Sequence, residues 1–244
     1  MIKDLWHMPD QAFTRITSST IPLLCYWRNK GRALENIAAA LELPDLVSSC
    51  VTFEAETRSL GPRDKSSYSD VMIQSSTSVV AIEGKWTEGR YTTVNKWRTS
   101  DHRQDVLDHW LRLMRKYTDP EEQSQIGELV YQMIHRCASA CSRSPSVAVL
   151  LYQVFSGSTP HEFYARDLEK FVSIVKPRQN LVVASCVVPL RKTETFSETA
   201  TLLKAMSDAS KGALVREAVA SKNLFEFGDP IFKIFTRQIP TKKG

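Results

Sequence analysis

No apolar run in this chain approaches the ~20 residues that a membrane-spanning helix needs. The longest strongly apolar stretch is Val147 to Phe155. The first residues, Met1-Ile2-Lys3-Asp4-Leu5-Trp6, include an acid and no apolar core, so they do not read as a secretory signal. Repeats and low-complexity segments are absent, which excludes solenoids and disordered tails. There is no Gly-x-x-x-x-Gly-Lys-Ser/Thr loop for a nucleoside triphosphate and no Gly-x-Ser-x-Gly elbow for a serine nucleophile. Cysteine is sparse and odd in number: Cys25, Cys50, Cys137, Cys141 and Cys186 sit mostly in apolar contexts. They read as buried thiols of a reducing compartment and not as a disulfide framework. The expectation is a soluble, cytoplasmic protein with no membrane partner.

What is present is ordinary for a globular chain: 244 residues, 42% apolar and 24% charged. That length suits one domain, or one domain with an added lobe. The net charge of +5 fits nucleic-acid binding without requiring it. The texture changes at Cys50, which divides the chain into a helical N-terminal segment, 1–49, and a domain over 50–244. In the first part Pro22 opens a short helix. Leu34, Ile37, Ala38 and Leu41 then recur at helical spacing until Leu43-Pro44-Asp45 stops them.

Beyond Cys50, Val51 to Glu56 reads as a strand, followed by a polar loop from Ser59 to Ser67. Tyr68 to Gln74 and Ser78 to Trp86 read as an antiparallel hairpin around Ser75-Ser76-Thr77. Ser100 or Asp101 caps a helix from about Arg103 to Tyr117. Asp119-Pro120-Glu121-Glu122 carries the signals of another helix start, with a continuous apolar face from Ile126 to Cys141. Val147 to Phe155 and Leu181 to Leu190 read as buried strands around a helix over His161 to Val175. Ser197 caps a helix to Met206, a second helix starts at Gly212, and Ile231 to Phe235 reads as a last strand. The fold class expected is α/β: a mixed central sheet flanked by helices.

Asp70 in the first hairpin strand and Glu83-Gly84-Lys85 in the second carry the chemistry. Side chains alternate along a strand, so Glu83 and Lys85 share a face. A hairpin symmetric about Ser76 and Thr77 pairs Gln74 with Val79, Met72 with Ala81 and Asp70 with Glu83. The last pair then has Cβ atoms roughly 4.5–5.5 Å apart. Two carboxylates that close repel unless a cation joins them. Mg²⁺, typically held by one or two carboxylates with phosphate and water, is the natural ion, with Mn²⁺ as the substitute. Lys85 stands beside that position, suited to orienting water or to stabilising charge on a phosphate. Glu54 is a further candidate ligand from the preceding strand, and Glu56 is not separable from it by pattern. Val79-Val80-Ala81-Ile82 is apolar on both faces, which predicts a central strand and makes charges at its end costly.

Ser69-Asp70, twelve residues, then Glu83-Gly84-Lys85 resembles the PD-(D/E)XK nuclease superfamily, which includes many restriction endonucleases. Ser69 stands where the family name has proline. The resemblance covers about residues 50–117. It implies a restriction-endonuclease-like core and a metal-dependent nuclease, in which Asp70, Glu83 and Glu54 hold Mg²⁺ while Asp70, Glu83 and Lys85 form the catalytic set. It also implies hydrolysis of DNA, an endonuclease working as a homodimer, and a role in restriction or defence.

Residues 85–116 hold eight Lys or Arg and four acids, most of the chain's positive surplus, together with Trp86, Trp97 and Trp110. A basic surface beside a metal site suits a polyanion, and Arg90, Lys96, Arg98 and Arg103 are its candidate DNA contacts. Trp110 lies on the helix stripe and reads as core. Cys137 and Cys141 read as buried thiols and not as zinc ligands. Tyr131-Gln132 and His135-Arg136 are placed to approach the site from the following helix, with Gln132 a candidate contact to metal-bound water or substrate. The competing expectation is a non-catalytic nucleic-acid- or protein-binding module on the same fold.

Overall fold

The computed structural model describes residues 8, 10–59, 66–119, 123–157 and 162–236. A short 3-10 turn at Asp10–Phe13 leads into helices α1 (Thr20–Trp27) and α2 (Lys30–Leu41). Strands β1 (Cys50–Thr57), β2 (Ser67–Gln74) and β3 (Ser78–Lys85) follow. Next come the single turn α3 (Val94–Trp97), α4 (Asp101–Met114), α5 (Tyr131–Cys141), β4 (Val147–Ser156), α6 (Glu162–Val175) and β5 (Leu181–Lys192). The chain closes with α7 (Glu194–Lys204), α8 (Asp208–Ser221), β6 (Phe225–Phe227) and β7 (Ile231–Ile234).

The architecture is α/β, with one mixed seven-stranded sheet in the order β1-β2-β3-β4-β5-β6 and β7 paired to β5. The first three strands form an antiparallel meander; β3, β4 and β5 run parallel; β6 and β7 return antiparallel. The hairpin register is the one its symmetry predicts, Gln74 opposite Val79 and Met72 opposite Ala81. Asp45 fixes the turn by accepting hydrogen bonds from the hydroxyls of Ser75 and Thr77.

All eight residues of β3 are buried, so the apolar run at Val79–Ile82 does mark a central strand. Alternation divides its side chains between two cores. Val80 and Ile82 join a cluster with α1, α2, α8 and the C-terminal end of the sheet. Val79 and Ala81 join a second cluster with α4, α5 and α6. The N-terminal helices are therefore part of one layer of the sandwich: Phe13, Leu24, Trp27 and Leu46 are buried against the same cluster as Val71, Val149 and Val219. Each fully buried aliphatic side chain contributes roughly 1.5–3 kcal/mol. Among the described residues no helix is long and apolar enough to cross a membrane.

Three local expectations are corrected. The apolar face from Ile126 to Cys141 is not one helix: Gln123–Glu128 is a 3-10 turn, and α5 begins only at Tyr131. The break falls where Asn95 packs on Gly127 so closely that a Cβ there has no room. Val130 also pairs with Thr93 in an isolated bridge. The Asp119 carboxylate is held by Arg178, with Nε at 2.9 Å from Oδ2. Pro120, Glu121 and Glu122 lie outside the described residues, as does His161. Thr193, not Ser197, caps α7, its hydroxyl accepting the Phe196 N–H at 3.3 Å. Ser197 lies inside that helix, which starts three residues earlier at Glu194. Helix α8 likewise starts before Gly212, at Asp208.

Candidate active site

Alternation along β3 carries Glu83 and Lys85 onto the face covered by α5, and both are buried, at 3% and 6% exposure. A carboxylate there is tolerable only if fully partnered. Lys85 Nζ donates to Glu83 Oε1 at 2.8 Å, and Gln132 Nε2 donates to the same oxygen at 2.7 Å. Arg136 forms a close ion pair with the other oxygen, Oε2. Gln132 and Arg136 are four residues apart on α5, so one helix face presents both.

Arg136 ties further groups to this centre. Its Nη1 donates to Ser67 Oγ at 2.7 Å, and Ser67 in turn lies 2.8 Å from His135 Nδ1. With Arg136 donating to the serine oxygen, the serine proton is free to go to His135 Nδ1. This selects the neutral imidazole with its proton on Nε2. Burial, and then the neighbouring Arg136 and Lys85 charges, push the His135 pKa well below its ordinary value.

Asp70 stands on β2 beside the end of β3. In place of a further rung of the ladder, Gly84 N–H donates to Asp70 Oδ2 at 2.7 Å. The approach is close: a Cβ at Gly84 would stand 3.3 Å from Leu23 Cδ1 and 3.4 Å from that same carboxylate oxygen. Burial raises the Asp70 pKa well above its ordinary value. The negative charges of Glu83 and Glu54 add to this, while Arg136 and Lys85 oppose it.

Glu54 stands opposite Asp70 in the β1–β2 register, on the face that alternation after Phe53 gives it, and carries a backbone irregularity. It has φ 47°, in the left-handed region that non-glycine residues avoid at a cost of about 1–3 kcal/mol. The consequence is visible on either side. Phe53 packs against the first core and Ala55 belongs to the second, although residues two apart in a regular strand share a face. The strand turns over at Glu54, which lines the same cavity as Asp70. Burial raises the Glu54 pKa, with Arg136 opposing and Glu83 adding to the rise.

That cavity, about 600 Å³, is lined by Glu54 and Asp70 of the sheet, by His135 and Arg136 of α5, and by aromatic residues of α3, α4 and α5. The structure thus brings Asp70, Glu83, Lys85 and Glu54 to one end of one sheet face. Glu56 is exposed and bonded to the Ser66 hydroxyl, which separates it from Glu54. Glu88 serves the fold, accepting the backbone N–H of Ser19 at 2.6 Å and of Trp86 at 2.9 Å.

The basic candidates are more dispersed. Arg103 lines the cavity, its guanidinium 5.5 Å from the centre of the Trp97 ring. Arg98 donates to Gln104 at 2.8 Å, and Lys96 is exposed on the single turn of α3. Arg90 is committed elsewhere: Nε and Nη2 grip both oxygens of Asp167 at 2.7 and 2.6 Å. Trp110, Cys137 and Cys141 are core residues, as their helix positions predict.

The residue that sequence reasoning underestimated is Arg136. It was placed near the site by its helix, yet its role as the cation joining Glu83, Ser67 and the field of Asp70 follows only from the packing of α5 on β2 and β3. Among the described residues, no three His, Cys, Asp or Glu side chains form a ready cage for an ion. The donor set still suits a hard divalent cation. Three carboxylates converge on two cations, and Asp70 is raised by burial and then by the charges of Glu83 and Glu54. Beside Glu83, the buried Gln132 Oε1 and the hydroxyl of Tyr152, its partner in β4, have no hydrogen bond. Buried polar atoms of this kind cost about 1–3 kcal/mol each when left unmet.

The fold and this buried charge cluster define an α/β protein with a polar centre at the end of its middle strand. By sequence the chain belongs to the DUF6946 family, a domain of unknown function, whose model matches residues 2–222. No curated protein and no solved structure matches it.

Proposed function

We propose that this protein is a metal-dependent nuclease that hydrolyses phosphodiester bonds in DNA. The observation that carries the reading is that Asp70 and Glu54 line one cavity while Glu83 and Lys85 are buried at the same end of the sheet, with β2 and β3 in the register that the Asp70–Glu83 spacing requires. Asp70 and Glu54 line the cavity, while Glu83 is buried at the same end of the sheet and held by Lys85, Gln132 and Arg136. These three carboxylates are the residues that would hold Mg²⁺ or Mn²⁺. One or two carboxylates with substrate oxygens suffice for that ion, so a complete protein cage is unnecessary. The ion supplies a polarised phosphate and a more acidic water.

The chain's own groups do the rest. Lys85, held against Glu83, presents an ammonium to the charge that grows on the phosphate oxygens. Arg136 adds a second cation with two hydrogen-bonding edges. His135, neutral and buried, fixes Ser67 and thereby the orientation of Arg136. Arg103, Lys96 and Arg98 supply positive charge around the cavity, while Arg90 acts through its clamp on Asp167. Cytoplasmic DNA, a restriction or defence role and a homodimer remain what the family resemblance supports.

A second reading has its own observation. Glu83 is sealed by three donors, as expected of a structural ion-pair network in a non-catalytic binding module on the same fold. Cleavage of plasmid and single-stranded DNA with Mg²⁺ separates the two. The nuclease reading expects cleavage that chelation abolishes, and loss of at least about a hundredfold in rate in Asp70→Ala and Lys85→Ala, the scale typical of removing a charge-stabilising group. Both variants should keep the native circular dichroism. Unchanged rates in both, or binding without cleavage under all metal conditions, would establish the binding module instead.

A further inference from the structure

The wall of the cavity opposite Asp70 is aromatic. Trp97 and Tyr131 stack with centroids 3.6 Å apart and an interplanar angle of 11°, and the Arg103 guanidinium lies over Trp97. At the mouth, Tyr68 and Tyr91 are 46% and 44% exposed. Large apolar side chains are seldom left this open among the described residues: only Val47, Leu202 and Ile231 are the others, and none of these lines the cavity. Two accessible tyrosines therefore flank the one recess that also holds the carboxylates and Arg136.

Recognition of an intact duplex calls for unengaged cations that track two phosphate backbones. Around this cavity the arginines are already engaged. Arg90 is clamped on Asp167, Arg98 donates to Gln104, and Arg103 donates to the Trp97 carbonyl at 2.5 Å. Beyond the exposed Lys96, the surfaces left open are π-faces, and these bind bases only when the bases are unstacked from a partner strand. The cavity volume, about 600 Å³, is that of a small-ligand pocket and accommodates a nucleotide.

We propose that the cavity captures an unpaired nucleotide of a single-stranded segment, with its base against the tyrosines at the mouth and its phosphate directed to Arg136 and the carboxylates. The inference deepens the nuclease reading and rests on it for the chemistry that follows capture. It makes single strands, frayed ends or flaps the substrate class, in preference to the interior of a duplex.

The test is fluorescence anisotropy with a labelled single-stranded oligonucleotide and the blunt duplex of the same sequence, with Ca²⁺ present. The single strand should bind at least about tenfold more tightly. Tyr68→Ala and Tyr91→Ala should each weaken it by about tenfold, the scale of one lost base–ring stack, while Tyr91→Phe retains binding. Both side chains are exposed, so the melting temperatures of these variants should match that of the parent. Equal or tighter duplex binding, or single-strand affinity indifferent to both alanine variants, overturns the proposal. The parent reading fails separately. Tyrosine-dependent binding of the single strand without cleavage in Mg²⁺ removes the nuclease and upholds base capture. Cleavage within duplexes that ignores both tyrosines does the reverse.

Discussion

The two faces of the central sheet are built from the same strands on different principles. On the face under α1, α2 and α8, β3 contributes Val80 and Ile82, and the cluster around them is aliphatic and aromatic, with the buried Gln153 bonded to Trp27 and Arg216 lying over Phe13. On the face under α4, α5 and α6, the same strand contributes Val79 and Ala81, and then ends in Glu83 and Lys85. The first face gains stability from nearly every side chain it buries. The second spends part of that gain holding three acids, two cations and a neutral histidine out of water. Charges are arranged so expensively where their chemistry is used, and perturbed carboxyl and imidazole groups in one cleft are the physical signature of such a place.

The largest difference between the faces should appear when charge is removed from one side only. Glu83→Ala leaves Lys85 and Arg136 buried without their partner and should destabilise the protein by about 3–5 kcal/mol. Ile82→Ala on the other face should cost a similar amount, about 2–5 kcal/mol, through lost burial and a cavity. A second mutation tells them apart. Adding Arg136→Met to Glu83→Ala removes a stranded charge and should recover stability. Adding Leu151→Ala to Ile82→Ala, its neighbour across β3 and β4, should lower stability further. Urea unfolding of the four proteins measures both signs. If the charged pair behaves like the aliphatic pair, Glu83 is not held by these ions.

A smaller effect of opposite sign is expected at Asp70. Its pKa is raised by burial and by the charges of Glu83 and Glu54, so ionising it costs the folded state stability. Asp70→Asn keeps an oxygen to accept the Gly84 N–H and removes the charge. It should stabilise the metal-free protein by of order 1 kcal/mol, or about 2–4 °C in melting temperature for a chain this long. The sign with pH follows from linkage. Stability from a raised acid is fully present when it is protonated and is lost as pH climbs from the ordinary carboxylate range through its folded value. The advantage of Asp70→Asn should therefore grow with rising pH and vanish in acid. Calorimetry across that range checks it.

Much of the charged face was legible in the sequence because strand geometry is rigid. A period of two and a short symmetric turn are enough to bring Asp70 beside the end of β3 and to set Glu83 and Lys85 on one face. The apolar run at Val79–Ile82 is enough to make that strand central. What stayed hidden depends on events no local pattern encodes. A positive φ at Glu54, a residue type that gives no warning of one, turns the strand over before Glu56 and so separates the two glutamates. Asp119, a good cap by sequence, has its carboxylate held by Arg178, 59 residues away. The apolar face before α5 breaks because Asn95 needs the space at Gly127. Arg136 reads from the sequence only as approaching the site, because its acid lies 53 residues upstream, on another element.

The finest test concerns His135, which the charged face keeps neutral. Its Nδ1 receives the Ser67 proton, and Arg136 Nη1 stands 3.2 Å from the same nitrogen, so a second ring proton would meet donors instead of acceptors. With its folded pKa depressed, the unfolded chain binds more protons at this residue than the folded one below about pH 6.5. Stability is then present above that pH and lost as pH falls, by at most about 1.4 kcal/mol per pH unit for one proton. Asp70 contributes with the opposite sign at lower pH, so the cleaner measurement is in the Asp70→Asn background. There, stability should decline more steeply between roughly pH 6.5 and 5 with His135 in place than in His135→Gln, which keeps an acceptor for Ser67 and does not titrate. Equal slopes would mean that His135 accepts a proton without cost, and that the chain from Arg136 through Ser67 does not hold it neutral.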